Sequence, residues 1–498
     1  MSKRPKIDKF LVLALALIFL LSVGVRVSLI LISPKIVYNY GTIAGLGETA
    51  RNLAEGRGYV VGQAYSKAIF PLMQKENRLI DIQDVPPPGE DRFIPYYYLP
   101  PGTSALLAGT FLIFGQDRYI YLRYVQAVID SLGVIIIFLI GRELFSRRAG
   151  LIAAFLYAVW LPIAFLAVWP LHDALMPFIT LVALYLFILG VRRKSIIFYV
   201  LSGLAVGIGC YFQPSILLLP VMFGIGMFVY NFRKREFRNQ IADWAKVTVI
   251  MMAVVTLVIA PWLVRNHRVT GDWIGMRPGV WSGIWEGFGE FGDNPVGAYF
   301  DDSETYKLAR KELGYDVDYL SPEYQAFFKE KVLNAIEEHP VWWLGMLVQR
   351  VPRAIFYYSE LGINNTLIAL YDMGFPQETV LDTITNGIFW KFARSHPLTF
   401  FYTAIGGLSY IFAVVPVLLS IFAIWVLRKN WRALALILTV TVYFAAVAIV
   451  FFTASPKSIM PGSLAYIILC AVALDYFYGR IKDRGISDIE YADTPAPC

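Results

Sequence analysis

Residues 122–162 read LRYVQAVIDSLGVIIIFLIGRELFSRRAGLIAAFLYAVWLP, two apolar runs divided by a short cluster containing Arg142, Arg147 and Arg148. The first run (122–142) and the second (149–169) are each long enough to cross ~30 Å of hydrocarbon as a helix. The arginines between them mark a cytoplasmic turn, because short loops on that side of a membrane carry the excess of positive charge. A chain built from such pairs is an all-α polytopic membrane protein. Composition agrees: of 498 residues, 57% are hydrophobic, 15% aromatic and only 16% charged, too apolar for a water-soluble domain.

Working outward, apolar runs of spanning length lie near 10–33, 122–142, 149–169, 173–191, 196–212, 215–232, 244–263, 399–427, 433–453 and 461–479. About ten transmembrane helices place both termini in the cytoplasm. The first run follows a basic start, as a signal peptide does, but it is longer than a signal core and is read as an uncleaved span. The organisation expected is a first span (1–33), an extracytoplasmic loop with interfacial helices (34–121), spans two to seven (122–263), a second long extracytoplasmic loop (264–398), three last spans (399–479) and a cytoplasmic tail (480–498). Lys and Arg outnumber Asp and Glu by 44 to 37. Those cations sit in short clusters on one side of the spans, so the partners expected are membrane lipids of the plasma (inner) membrane rather than nucleic acid. Cys210, Cys470 and Cys498 form no disulfide framework.

Every cytoplasmic connection is short, so the chemistry belongs to the two long loops. The first opens with GTIAGLGETARNLAEGRGY (41–59), an amphipathic pattern with Leu46, Ala50, Leu53 and Ala54 on one side and Glu48, Arg51, Asn52 and Glu55 on the other. Gly56 and Gly58 stop it. Such a helix tethered to a span is expected to lie in the membrane interface with its carboxylate over the surface. The stretch 96–115, YYYLPPGTSALLAGTFLIFG, is short for a span and reads as a helix dipping into the interface. The second loop holds an acidic helix (321–339) and an amphipathic run in which Trp342, Trp343, Tyr357 and Tyr358 suit an aromatic belt.

Four places carry ionisable residues near outer span ends, where they are costly unless they bind something: Glu48 with Arg51, His172 with Asp173, Arg265 in RNHR, and Lys457 in ASPKSIMPG. A carboxylate among cations suggests an anion site beside a general base, the cations holding a phosphate by charge-assisted hydrogen bonds. Each has a plainer alternative. Glu48 pairs with Arg51 at i+3, Asp173 caps the fourth span, and Arg265 and Lys457 anchor to headgroups. There is no P-loop, no dinucleotide glycine pattern following a strand, no HExxH and no zinc spacing among four histidines and three cysteines.

ETARNLAEGRGY, YLPPGTSALLAGTFLIFG, the quoted 122–162 stretch, GLAVGIGCYFQPSILLLP, APWLVRNHRVTGDW and ASPKSIMPGSLAYIILCAVA together resemble the GT-C glycosyltransferases related to protein O-mannosyltransferases and the lipid A aminoarabinose transferase. The resemblance implies a polyprenyl-phosphate-linked sugar as donor, a hexosyl or pentosyl group transferred with inversion, and an extracytoplasmic lipid, glycan or protein acceptor. It names no further cofactor and leaves a divalent metal open. It implies Glu48 as the catalytic acidic residue, and donor-phosphate binding by Arg265 and Lys457 with Arg51 and His172. The chain departs from the pattern at Thr42 and Ile43, where relatives place an acid, at Leu99, where they often have Lys, and at Lys457 and Ser458, where they favour Arg and Tyr. Asp173 is therefore an alternative base, and Asp91 and Glu90 are further candidates. A lipid-linked glycan transporter and a non-catalytic assembly subunit are the other classes compatible with this pattern.

Overall fold

The computed structural model describes residues 8–33, 41–62, 93–115, 118–232, 237–292, 294–315, 317, 321–356, 388–395, 397–408, 411–451 and 459–481. Helices dominate. In chain order they are α1 (Lys9–Ile32), α2 (Gly41–Ala54), α3 (Gly102–Phe114), α4 (Ile120–Ser131), α5 (Gly133–Leu144), α6 (Arg147–Val159), α7 (Leu161–Ala167), α8 (Met176–Arg193), α9 (Ile196–Cys210) and α10 (Leu219–Tyr230). They continue with α11 (Phe237–Thr270), α12 (Val280–Phe288), α13 (Asp302–Leu313), α14 (Pro322–Glu338), α15 (Pro340–Phe356), α16 (Ile388–Ser395), α17 (Pro397–Leu408), α18 (Ile411–Val426), α19 (Trp431–Phe451) and α20 (Leu464–Ile481). Strands β1 (Val60–Gly62) and β2 (Phe93–Pro95) form an antiparallel ribbon between α2 and α3.

Local chemistry sets the helix ends. Oδ1 of Asp8 accepts from the amides of Phe10 at 3.0 Å and Leu11 at 3.2 Å, starting α1, and Ser146 Oγ accepts from Ala149 N at 2.9 Å, starting α6. Among the described residues six helical stretches are long and apolar enough to cross a membrane: Lys9–Ile32, Ile120–Leu144, Met176–Arg193, Phe237–Thr270, Val414–Phe451 and Met460–Gly479. The pair α6 and α7, bent by 55°, makes a seventh if it counts as one span. The protein is thus multi-pass, although the ten expected spans exceed the helices that qualify alone. The runs expected at 196–212 and 215–232 yield α9 of 15 residues and α10 of 12, short of the ~20 a crossing needs. The run expected at 399–427 is divided between α17 and α18.

The main core lies among the apolar helices; the rings of Phe187 and Phe223, for example, stack at 4.5 Å. Large apolar side chains also point outward, as Val249 and Leu257 do on α11, which suits a surface solvated by lipid. Two charged residues lie within the apolar helices, Arg26 and Asp130, both fully buried. Arg26 Nε donates to Asp130 Oδ2 at 2.7 Å, its Nη1 donates to Ser22 Oγ at 2.7 Å, and Tyr157 Oη donates to Asp130 Oδ1 at 2.8 Å. This network joins α1, α4 and α6, each charge compensating the other where neither could be hydrated.

The second long loop has its own core. Trp285, Phe288, Tyr306, Tyr324, Phe328 and Met346 bring α12, α13, α14 and α15 together. Arg350, on the buried side of α15, donates from Nε to Glu290 Oε2 at 2.9 Å and from Nη1 to Ile449 O, at the end of α19, at 3.0 Å. That bond ties the loop's helical unit to the helix bundle. Trp342 and Trp343 lie at this junction, half-buried; Tyr357 and Tyr358 fall outside the described residues.

Candidate active site

Helix α2 ends as expected, Gly56 and Gly58 adopting φ of 77° and 88°. Its surroundings differ from the expectation. The apolar stripe packs on α3 through Ala50, Leu107, Ala108 and Phe111, and Gly47 allows the close approach of Tyr119, whose Oη would lie 2.6 Å from an added Cβ. Part of the polar side is covered as well, although Glu55 stays exposed. Glu48, Thr49 and Asn52 are buried, Glu48 being only 5% exposed. The helix therefore does not hold its carboxylate over an open surface. A polar face can be buried here because partners meet it: Thr49 Oγ1 bonds Ser104 Oγ at 2.8 Å, Asn52 Nδ2 donates to Val60 O at 2.8 Å, and Gly62 N donates to Glu48 Oε1 at 2.6 Å.

Oε2 of Glu48 is buried and has no hydrogen-bond partner among the described residues. Burial disfavours the charged form and pushes the carboxyl up to about 7, against the opposing pull of the Gly62 amide and then of the Arg51 charge. A carboxyl titrating near neutrality, with one oxygen tethered and the other uncommitted, has what a general base needs.

The ribbon that meets Glu48 pairs Val60 with Pro95, Val61 with Ile94 and Gly62 with Phe93. One step beyond, Tyr96 N donates to Tyr59 O at 3.1 Å. Arg265, on α11, reaches this end: Nη1 donates to Tyr96 O at 2.6 Å and Nη2 to Tyr59 O at 3.0 Å. Its guanidinium lies over the rings of Trp262 and Tyr59, 4.7 and 5.6 Å from their centroids. The fold thus brings Arg265 to the Glu48 neighbourhood, but with its terminal nitrogens on backbone carbonyls.

A cation absent from the sequence expectations is Arg277. After α11 the chain folds back, held by Trp262 Nε1 donating to Met276 O at 3.1 Å and Asn266 Nδ2 donating to Gly275 O at 3.1 Å. Arg277 is half-buried, and its one hydrogen bond among the described residues runs from Nε to Pro278 O at 3.4 Å. Burial pushes the Tyr96 phenol up; the Arg277 charge opposes that rise and the Glu48 charge adds to it, so both act on one ring. Arg277 also acts on Glu286 of α12, whose carboxyl is pushed up to about 10 by burial and then by Asp302. Arg277 lies well beyond the span end, so only the fold-back reveals it.

His172 and Asp173 sit in the turn between α7 and α8, 7% and 1% exposed. Asp173 does not cap α8: the cap position is Leu175, without a side-chain cap bond. Instead Asp173 Oδ1 accepts from Gln213 Nε2 at 2.8 Å, while Oδ2 lies 3.3 Å from His172 Nε2. The turn carrying Gln213 also accepts the start of α3, Gly102 N donating to Tyr211 O at 2.8 Å. A Cβ at Gly102 would meet that oxygen at 2.5 Å, so the contact requires glycine. Asp173 and Glu48 are thus linked through this turn and α3. Lys457, Glu90 and Asp91 lie outside the described residues. Among the described residues no three His, Cys, Asp or Glu side chains converge on a metal-sized site.

Residues 99–264 match the family model described as dolichyl-phosphate-mannose-protein mannosyltransferase. No curated protein matches the chain. Among solved structures, the archaeal oligosaccharyltransferase AglB from Archaeoglobus fulgidus, in complex with an inhibitory peptide and a dolichol-phosphate, is 14% identical over 95% of this chain and 51% of its own, with a TM-score of 0.50. The Archaeoglobus fulgidus oligosaccharyltransferase in complex with Zn and sulfate is 14% identical over 95% of this chain and 50% of its own, with a TM-score of 0.48. The chain spans about half the length of these structures. At such identity the likeness to the AglB structure concerns the fold alone.

Proposed function

We propose that the protein is a GT-C-type glycosyltransferase that moves a sugar from a polyprenyl phosphate to an acceptor on the extracytoplasmic side, with Glu48 as general base. The observation that carries this reading is the Glu48 carboxyl itself: buried, pushed up to about 7 by that burial and held by one oxygen. In the proposed step an acceptor hydroxyl attacks the anomeric carbon while Oε2 of Glu48 takes its proton. The bond to the polyprenyl phosphate oxygen breaks with inversion, and the phosphate leaves with the electron pair. Arg277, whose charge acts on the same tyrosine as Glu48, stabilises the departing anion, with Arg51, His172 and Lys457 as further phosphate-binding candidates.

The family match over 99–264 supports a lipid-phosphate sugar donor, and the one-sided basic clusters support cytoplasmic termini in a plasma (inner) membrane, with the site outside. Purified protein in liposomes, supplied with a polyprenyl-phosphate sugar and envelope acceptors, tests the reading. Transfer is expected from the native chain and a loss of about 10²- to 10⁴-fold from Glu48→Gln, with donor binding retained. Full activity in Glu48→Gln together with an inactive Asp173→Asn would move the role to Asp173. Mass spectrometry of glycolipids from cells with and without the protein identifies the acceptor.

A further inference from the structure

Arg265 occupies a place where a donor-phosphate ligand is expected, yet its contacts describe other work. Both terminal nitrogens face the carbonyls of Tyr59 and Tyr96, the cross-strand pair that continues the ribbon register by one step. Nη1 is additionally 3.1 Å from Asn266 Oδ1. At the opposite end of the same strand, Gly62 N holds Glu48 Oε1. A ribbon of three residues a side is marginal alone. Its position must come from outside, and it comes from α11 through Arg265 and from α2 through Asn52.

We infer that Arg265 is a positioning residue for Glu48: its guanidinium fork staples the ribbon to α11, and the ribbon in turn places the Gly62 amide that orients the carboxyl. The inference rests on the proposed function for the word "positioning" and on the contacts alone for the mechanical link. Arginine suits the task because a planar fork spans two carbonyls and stacks on Trp262, whereas a lysine ammonium presents a single point charge. The same geometry separates the two roles: a phosphate ligand needs charge, a staple needs the fork.

The test uses the full chain in detergent micelles, with Arg265→Lys keeping charge without the fork and Arg265→Gln keeping neither. Dolichyl phosphate is the binding probe. Carbodiimide labelling of Glu48 across pH, read by peptide mass spectrometry, reports the carboxyl without any substrate. For Arg265→Lys we expect dolichyl phosphate affinity within about twofold of native, and kcat lowered roughly tenfold or more with the donor KM unchanged. The Glu48 labelling midpoint should rise by about half a pH unit or more, because the lost Gly62 hydrogen bond had favoured the charged form. Asn52→Ala, which releases the ribbon from the α2 side, is expected to move the same midpoint and serves if the Arg265 variants fail to fold. An unmoved midpoint in the folded variants overturns the inference. So does loss of dolichyl phosphate affinity in Arg265→Gln with kcat kept in Arg265→Lys. If Glu48→Gln proves fully active while Arg265→Lys still shifts the midpoint, the proposed chemistry fails and the staple stands.

Discussion

The backbone amide of Gly62 donates to Oε1 of Glu48 across 2.6 Å, so the candidate base is oriented by a strand rather than by its own helix. That bond leaves Oε2 without a hydrogen-bond partner among the described residues and makes the carboxyl's behaviour depend on where the ribbon sits.

The first consequence concerns pH. The Glu48 carboxyl is raised from an ordinary 4.5 to about 7 in the folded chain, so between those values the folded state binds more protons than the unfolded one. Stability therefore falls as pH rises through that window, and the cost is complete above the folded value. Glu48→Gln is expected to be more stable than the native chain at pH 8, by at most about 3 kcal/mol, the difference fading below the ordinary carboxyl value. Thermal unfolding in detergent at several pH values checks this, while turnover of the native chain should rise through about 7.

Arg277 is expected to serve the leaving group. Arg277→Gln should raise the donor KM about tenfold or more, consistent with loss of a charge-assisted hydrogen bond, and leave the Glu48 labelling midpoint nearly in place. Steady-state kinetics against donor concentration decide it; an unchanged KM would remove Arg277 from the site.

Two glycines of one helix make an internal comparison. An added Cβ at Gly102 meets the Tyr211 carbonyl oxygen at 2.5 Å, whereas at Gly109 nothing lies within 4 Å. Gly102→Ala is expected to destabilise by about 1–3 kcal/mol, and Gly109→Ala to stabilise by about 0.5–1 kcal/mol through helix propensity. Melting temperatures of the two variants should move in opposite directions.

The Arg26–Asp130 pair is expected to show strong non-additivity. Removing one partner strands a buried charge at a cost of about 3–5 kcal/mol, whereas Arg26→Leu with Asp130→Leu is expected near native stability. Unfolding of the two single variants and the double in micelles provides the cycle; an additive result would show that the charges do not depend on each other.

Much of the architecture was legible in the order of residues. Apolar runs and one-sided basic clusters identify membrane helices because burial in lipid demands uniform apolarity over a fixed length. The terminating Gly56 and Gly58 were readable because positive φ favours glycine. Span number was less legible: α9 and α10 are apolar but short, with Ile197 and Ile225 exposed, and apolar composition does not by itself set the length of a helix. Arg26 and Asp130 went unnoticed because compensation between distant residues leaves no local pattern.

At the site, the sequence by itself singled out Glu48, Arg265, His172 and Asp173, since polar residues beside apolar runs are conspicuous. Their surroundings were decided only by tertiary structure. Whether Glu48 faces solvent or lies under a ribbon, whether Arg265 meets a phosphate or two carbonyls, and whether Arg277 stands near either depends on hydrogen bonds between residues far apart in the chain. Residue type shows that a group can carry charge; desolvation and partners, which exist only once the chain is folded, determine what that charge does.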